Sequence, residues 1–390
     1  MLIGVVGKTN TGKSTFFSAA TLVDAKIAPF PFTTINPNVG KAYVRASCPC
    51  KELNVKCNPR NSLCENGTRL IPIDLIDVAG LVPDAHLGKG LGLKFLDDLR
   101  SADALIQVVD ASGTTDAEGR QCDFYDPANE IVFLEEEMSY WIAGIIKRSW
   151  SRIKGKNIDS VAGVLSGLKM SQEEVEKAAS QLFLSKENIN WSEENILEFA
   201  KEVRRVSKPI IIAANKIDLP NADENYRKLK ERFKDKVIIP TCAEAELALR
   251  KAAKQGIIQY TPGDGDFKIL SSNLQGKQLS ALQFIKEKVL LKYGGTGVQE
   301  LINKAAFELL KLIVVYPVED ENKFSDHFGN VLPDAILMKQ GSTALDLAAK
   351  IHTELAERFV CGINARTKMR VGKEYVLKNG DVVRIAASLR

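Results

Sequence analysis

The sequence predicts an α/β fold: a largely parallel sheet with helices on both faces, interrupted by a helical subdomain and followed by a small α+β domain. Three observations carry this. Short apolar runs that fit buried strands alternate with helical patterns through 1–110 and again through 207–312. Between them, in 111–206, apolar residues recur at spacings of three and four. From 313 to 390, short apolar stretches surround one well-capped helix. A chain of 390 residues admits two or three domains.

Composition sets limits. Hydrophobic residues make up 45% and charged residues 26%, enough to bury a sizeable core. The net charge of +4 is too mild to argue for a nucleic-acid partner by itself. No run approaches the roughly 20 apolar residues of a membrane span. The N-terminal apolar run stops at Lys8, inside a motif, so it reads as a core strand and not as a secretion signal. Seven unevenly placed cysteines do not look like a secreted disulfide framework. The expected setting is the cytoplasm, with no membrane partner.

Residues 2–6 form the first strand, and 15–20 fit a helix. Between them Gly7-Lys8-Thr9-Asn10-Thr11-Gly12-Lys13-Ser14 reads GxxxxGKS, in the strand–loop–helix context that a phosphate-binding loop needs. Gly7 and Gly12 let the backbone turn so that its N–H groups converge on phosphate oxygens. The helix N-terminus adds partial positive charge there. Lys13 is placed to reach the β/γ-phosphates and the Ser14 hydroxyl to bind Mg²⁺. Thr11 and Thr15 are counted with the same site.

Pro29, Pro31 and Pro37 mark 23–40 as a loop. Strands are expected at 39–46 and 69–77, the latter ending in Asp77-Val78-Ala79-Gly80. A glycine-rich stretch, 81–92, precedes a helix at 93–102 and a buried strand at 104–109. Ile131, Leu134, Met138, Ile142 and Ile145 form one face of a long helix. Ser171–Glu174 and Ser192–Asn195 look like further helix starts. The sheet resumes at 209–214, ending in Asn215-Lys216-Ile217-Asp218, and Pro220 suits the first turn of the next helix. A last strand, 237–240, leads to Thr241-Cys242-Ala243, and 244–311 is mostly helical. Strand 313–318, a cap at Ser342/Thr343–Asp346, and apolar stretches at 359–363, 375–377 and 382–385 complete the chain.

The motifs stand at strand ends, where ligands bind in open α/β sheets. Asp77 can orient the Mg²⁺ shell, and the Gly80 N–H can meet a γ-phosphate. Asn215-Lys-Ile-Asp218 has the spacing of a guanine-reading motif. Asp218 can accept both guanine N1–H and N2–H₂, a donor pair that adenine lacks. Lys216 can lay its stem along the base, and the backbone at Cys242–Ala243 would meet guanine O6.

These motifs resemble those of Obg-family GTPases of the translation-factor-related class, close to the YchF-like (Obg-like ATPase) branch. Gly7–Ser14, Pro31-Phe32-Thr33-Thr34, Asp77–Leu81, Gly88–Gly92 and Asn215–Asp218 carry the resemblance. Asp326–Asn330 and Met338–Ser342 resemble the family's TGS domain. The resemblance implies a P-loop NTPase G domain in two parts, 1–110 and 207–312, with 111–206 as its helical insert and a C-terminal β-grasp (TGS) domain over 313–390. It implies that Thr34 is the switch I residue closing on Mg²⁺ and γ-phosphate, with Thr33 as the competing assignment, and that Leu81–Gly92 is switch II. It also implies hydrolysis of GTP to GDP as a slow switch and a partner in the ribosome or RNA. The YchF-like branch has an altered guanine-reading motif and can use ATP. Here Asn-Lys-Ile-Asp is intact, so GTP is the expected nucleotide. An ATPase and a nucleotide-dependent RNA-binding protein with little turnover are the rival readings.

Leu81 stands where Ras-like enzymes carry a water-orienting glutamine, so catalysis needs another source of charge stabilisation. Asn10 resembles the asparagine that helps hold K⁺ in potassium-activated GTPases. On this reading Lys13, Thr34, Gly80 and Asn10 form the catalytic set, and Ser14, Thr34 and Asp77 hold Mg²⁺. His86 lies in switch II and is a lesser catalytic candidate.

Cys48, Cys50, Cys57 and Cys64 fall within 17 residues and could hold a structural Zn²⁺. Their spacing is not paired C-x₂-C, and disulfides or free thiols remain alternatives. The last 25 residues carry seven basic and two acidic side chains, locally +5, which could meet phosphates. The basic set is Arg366, Lys368, Arg370, Lys373, Lys378, Arg384 and Arg390.

Overall fold

The structure is a computed structural model and describes residues 1–22, 39–78, 98–271, 274 and 276–388. Thr33, Thr34, Gly80, Leu81, His86, Gly88–Gly92 and Arg390 lie outside the described residues, as does the first half of the expected helix at 93–102.

The main sheet is built from β1 (Leu2–Val6), β2 (Val39–Ser47), β3 (Leu63–Glu65), β4 (Thr68–Asp77), β5 (Ala104–Asp110), β6 (Ile210–Asn215) and β7 (Ile238–Pro240). Its order is β2-β4-β1-β5-β6-β7, with β3 on β4. The β4-β1-β5-β6-β7 pairings are all parallel. Parallel strands are covered on both faces, which explains why β5 is buried at every position.

Helix α1 (Lys13–Thr21) follows β1. The insert contributes α2 (Ala128–Arg148), α3 (Ile158–Leu165), α4 (Gln172–Gln181) and α5 (Glu193–Ser207). On α2, Ile131, Leu134, Met138 and Ile142 are buried, and Ile145 packs half-buried beside them. Both expected helix starts are capping boxes. The Ser171 hydroxyl accepts the Glu174 N–H at 3.2 Å, while the Glu174 carboxylate accepts the Ser171 N–H at 2.8 Å. Ser192 and Asn195 repeat the arrangement at 3.1 and 3.2 Å. The insert's core runs into Val6 and Leu105 of the sheet, so these helices pack on the strands. Residues 111–127, expected within the insert, are not helical but a folded loop with a Thr115–Gln121 bridge.

Beyond β6 lie α6 (Ala222–Arg232) and α7 (Ala243–Lys254). Pro220 stands in the turn before α6, not within its first turn, because the helix begins only after Asn221 at φ 64°. A two-stranded ribbon, β8 (Ile258–Gln259) with β9 (Lys268–Ile269), and α8 (Lys277–Ile285) interrupt and continue the helical stretch.

The C-terminal sheet contains β10 (Leu312–Val318), β11 (Ile336–Lys339), β12 (Phe359–Asn364), β13 (Arg370–Val371) and β14 (Val382–Ala387), in the order β11-β10-β14-β12-β13. β10 and β14 are parallel and the other pairs antiparallel. Helix α9 (Ala344–Ile351) starts at a Thr343–Asp346 capping box. This mixed sheet with its helix is a β-grasp arrangement. The apolar stretch at 375–377 makes one isolated bridge, Val376 with Thr343.

The described residues form two compact units. One gathers those of 1–27, 34–42 and 74–301, the other those of 43–73 and 302–390. Residues 43–73, expected with the first part of the nucleotide domain, thus belong with the β-grasp sheet. The cause is apolar packing: Cys48, Cys50 and Ile71 share a core with Val314, Tyr316 and Leu332.

Candidate functional site

The loop after β1 lies where the sheet's strand order reverses, between β4 and β5. Its two glycines are required by contact as well as conformation. Gly7 has φ +148°, and a Cβ there would lie 2.4 Å from the Val108 carbonyl oxygen. Gly12 has φ +93°, and its Cβ would lie 2.4 Å from the Asn215 side-chain nitrogen. Gly12 opens α1 without any side-chain cap, so the first-turn N–H groups of the helix face the loop for an anion to use. Thr11 donates to the Lys8 carbonyl at 3.2 Å, which tightens the loop, and Thr15 is the third residue of α1. Lys13 Nζ donates to the Lys8 carbonyl at 3.1 Å. Burial lowers the pKa of its ammonium, against the pull of Asp77 and Glu130.

Ser14 and Asp77 meet although 63 positions apart: the hydroxyl donates to Oδ2 at 2.9 Å. Burial raises the Asp77 carboxyl, while Ser14 and Lys13 draw it back. Its Oδ1 is buried with no hydrogen-bond partner among the described residues. Two hard oxygen donors beside a phosphate loop, one carrying an unused lone-pair site, fit Mg²⁺, which takes few carboxylates together with waters and substrate phosphates.

At the neighbouring strand ends, Asn215 ties two elements together. Its amide nitrogen donates to the Thr11 carbonyl at 2.8 Å, and its oxygen accepts the Ala243 N–H at 3.0 Å. Asp218 Oδ1 accepts from the Cys242 thiol at 3.1 Å. Burial and the Asp218 carboxylate push that thiol up, so it stays protonated and serves as a donor. A carboxylate has about four acceptor sites, so Asp218 keeps capacity for a pair of N–H donors. The two backbone N–H groups expected to meet guanine O6 are both engaged within the protein. Ala243 donates to Asn215, and Cys242 donates to the Thr296 carbonyl at 2.9 Å.

Lys216 lies at φ 61° and places Nζ 2.7 Å from Asp110 Oδ2. Asp110 belongs to none of the sequence motifs. It is fully buried at the end of β5 and also accepts from Ser112 and from Thr115, the latter at 2.7 Å. Burial alone would raise its carboxyl, but these donors hold it below the usual range. Its position gave a signal, since it is a third acidic residue at a strand end.

Lys8 occupies a variable position of the GxxxxGKS motif. Its ammonium is buried, donates to the Thr115 and Asp116 carbonyls and lies 3.0 Å from Glu130 Oε1. Burial pushes the Glu130 carboxyl up to about 8, against the attraction of Lys8. The 111–122 loop therefore clasps the phosphate loop from the side. Asn10 completes the clasp: at φ 63°, its amide nitrogen donates to the Gly119 carbonyl at 2.8 Å.

Away from this site, the structure brings Cys48, Cys50, Cys57 and Cys64 together, with their sulfurs within 4.8 Å of one another. In the basic C-terminal stretch, Arg366 pairs with Glu52 and Arg384 with Glu321, each at 2.8 Å. Lys368 donates to the Glu321 carbonyl, so among the described residues Arg370, Lys373 and Lys378 are the exposed cations of this stretch outside these pairings. His327 contacts Glu319 at 2.7 Å on the surface, and His352 caps residues 353–357, so neither joins the site.

Comparison with known proteins matches three family profiles: a 50S ribosome-binding GTPase over residues 2–136, the G4 motif-containing domain of YGR210-like Obg-like GTPases over 213–320, and a TGS domain over 328–387. A GTP-binding protein of Methanocaldococcus jannaschii is 53% identical, with all of both chains covered. The crystal structure of a GTP-binding protein from Pyrococcus horikoshii is 46% identical, with a TM-score of 0.80 over all of both chains. The ribosome-binding ATPase YchF of Bacillus subtilis is 27% identical, over 97% of each chain. No helix among the described residues is long and apolar enough to cross a membrane.

Because the Asn215 amide fills the space beside Gly12, the two positions must be coupled. Gly12→Ala should displace Asn215 and leave buried groups at Thr11 and Ala243 unpaired, at about 1–3 kcal/mol each. In an Asn215→Ala background the same substitution should cost less, because the obstructing amide is gone. Denaturant unfolding of the two single variants and the double variant reads this coupling, and strictly additive losses would contradict the contact.

Proposed function

The chain belongs to the Obg-like family of P-loop GTP-binding proteins with a C-terminal TGS domain, and from that premise we propose that it is a GTP-hydrolysing molecular switch. Lys13 and the first-turn N–H groups of α1 hold the β- and γ-phosphates. Ser14 and Asp77 would hold Mg²⁺, which would supply charge neutralisation at those phosphates. Thr34 and the Gly80 N–H close on the γ-phosphate and are released when it leaves.

The observation that carries the guanine reading is Asn215. By joining Thr11 to Ala243 it fixes the phosphate loop and the base-reading strand end in one frame, with Asp218 on the same turn. Asp218 takes N1–H and N2–H₂. With Cys242 and Ala243 occupied, guanine O6 falls to the next first-turn N–H groups of α7. Some relatives are named ATPases, the Bacillus subtilis protein among them. The intact Asn215–Asp218 motif supports GTP here.

The ribosome link rests on the name of that relative and on the TGS domain. Among the described residues, Arg370, Lys373 and Lys378 are the exposed cations placed to meet RNA phosphate. For hydrolysis, a K⁺ held by the Asn10 side-chain oxygen would supply charge stabilisation between the β- and γ-phosphates. The Asn10 amide nitrogen is already committed to Gly119, which sets the side chain's orientation.

Three measurements test this reading. Asp218→Asn should weaken GTP binding by more than tenfold and shift preference toward xanthosine triphosphate, whose base offers an acceptor where guanine has a donor. Retention of GTP preference by the variant would remove Asp218 as the base reader. Charge reversal of Arg370, Lys373 and Lys378 to Glu should lower ribosome co-sedimentation and flatten its log–log salt dependence by about two to three. Unchanged co-sedimentation would assign those residues another job. GTP turnover should be faster in KCl than in NaCl at equal ionic strength, and Asn10→Ala should abolish the difference; equal wild-type rates in the two salts exclude K⁺.

A further inference from the structure

We propose that Cys48, Cys50, Cys57 and Cys64 bind one structural Zn²⁺ that fastens the segment between β2 and β3 onto the C-terminal β-grasp sheet. The four residues come from three separate pieces of backbone. Cys48 and Cys50 flank the turn after β2, Cys57 lies in the following loop, and Cys64 sits in β3. Their sulfurs nevertheless converge.

The distances discriminate between the chemistries open to four thiols. Cys48–Cys57 and Cys50–Cys64 have sulfurs 3.9 Å apart. A disulfide needs about 2.0 Å, so neither pair is bonded. Four thiolates at about 2.3 Å from a central zinc stand on tetrahedron edges of roughly 3.8 Å. These two separations therefore match opposite edges of such a tetrahedron, and the remaining pairs lie within 4.8 Å. Zinc with four thiolates has no open coordination position, which makes the site structural.

Charge supplies an independent argument. Arg69 is fully buried in the same core, directly across the β3–β4 ladder from Cys64. Its hydrogen bonds go to the Ser62 hydroxyl at 3.1 Å and the Leu332 carbonyl at 2.9 Å, both neutral, and its Nε has no partner. Among the described residues no carboxylate pairs with it. A buried guanidinium without a counter-charge is costly. Zinc with four thiolates carries a net charge of −2, and one of its ligands, Cys64, lies directly across the ladder from Arg69. The metal would thus supply the anion that Arg69 otherwise lacks.

The segment that the metal would fix is also the one that docks. The Asn58 N–H donates to the Val331 carbonyl at 3.0 Å, and the Arg60 N–H to the Pro333 carbonyl at 2.7 Å. The Asn61 side chain accepts the Ala335 N–H at 3.0 Å, and Arg60 pairs with Asp334 at 2.9 Å. Asn58, Arg60 and Asn61 lie between the third and fourth ligands, so metal binding would hold all three in register with 331–335.

The test is metal analysis of the full chain purified without a metal-affinity step. About one zinc per chain is expected, with a tetrathiolate visible spectrum after cobalt exchange. Cys57→Ser and Cys64→Ser should lose the metal, while Cys122→Ser and Cys361→Ser should retain it. If the ligand variants do not fold, the wild type decides alone, because bound zinc should protect four thiols from alkylation until a chelator is added. A metal-free protein with four freely alkylated thiols, or one with two disulfides by non-reducing mass analysis, overturns the proposal. So does zinc that survives loss of Cys57 and Cys64.

Discussion

The space beside Gly12 belongs to Asn215. The asparagine amide sits where any larger residue of the phosphate loop would place its Cβ, and it uses that position to bond the loop's Thr11 carbonyl. Its other end bonds the first N–H of α7. Through this one side chain the turn after β1, the end of β6 and the start of α7 share a frame. A nucleotide is long enough to touch all three, so its phosphate and base subsites must keep a fixed separation. Fixing that separation before binding lowers the ordering cost of binding.

A second layer of buried charge supports the frame. Lys8 and Glu130 are each only 3% exposed, so removing Glu130 would leave the Lys8 ammonium buried without its counter-charge, at about 3–5 kcal/mol. Lys8 also holds two carbonyls of the loop after β5, and Asp110 at the root of that loop holds Lys216. The phosphate loop and the base-reading motif are therefore connected twice, once through Asn215 and once through Lys8, the 110–116 loop and Lys216. Polar networks of this kind are specific because each member lacks an alternative partner.

The sequence made the local features legible because their causes are local. Serine three residues before Glu174 or Asn195 is enough to define a helix start, and both starts are capping boxes. The apolar spacing on α2 similarly named its buried face. Ser14, Asp77, Asn215 and Asp218 could be read because each belongs to a short motif at a strand end. Lys8, Asp110 and Glu130 could not be read as a group, since their contacts depend on how the 111–127 loop folds. The occupied N–H groups of Cys242 and Ala243 escaped for the same reason: Thr296 and Asn215 reach them from elsewhere. The four cysteines were visible as a cluster in sequence, but only their distances separate metal ligation from disulfides. The grouping of 43–73 with the C-terminal sheet was hidden because its apolar partners lie more than 200 positions away.

The central claim is that these strand ends form a guanine-selective nucleotide site. Its most direct measurement is equilibrium titration of the full wild-type chain with GTP and with ATP, both with Mg²⁺. A carboxylate that requires two base donors should reject the base lacking them, and such sites discriminate by as much as roughly 10⁴. The account predicts that GTP binds at least a hundredfold more tightly than ATP; equal affinities would contradict it.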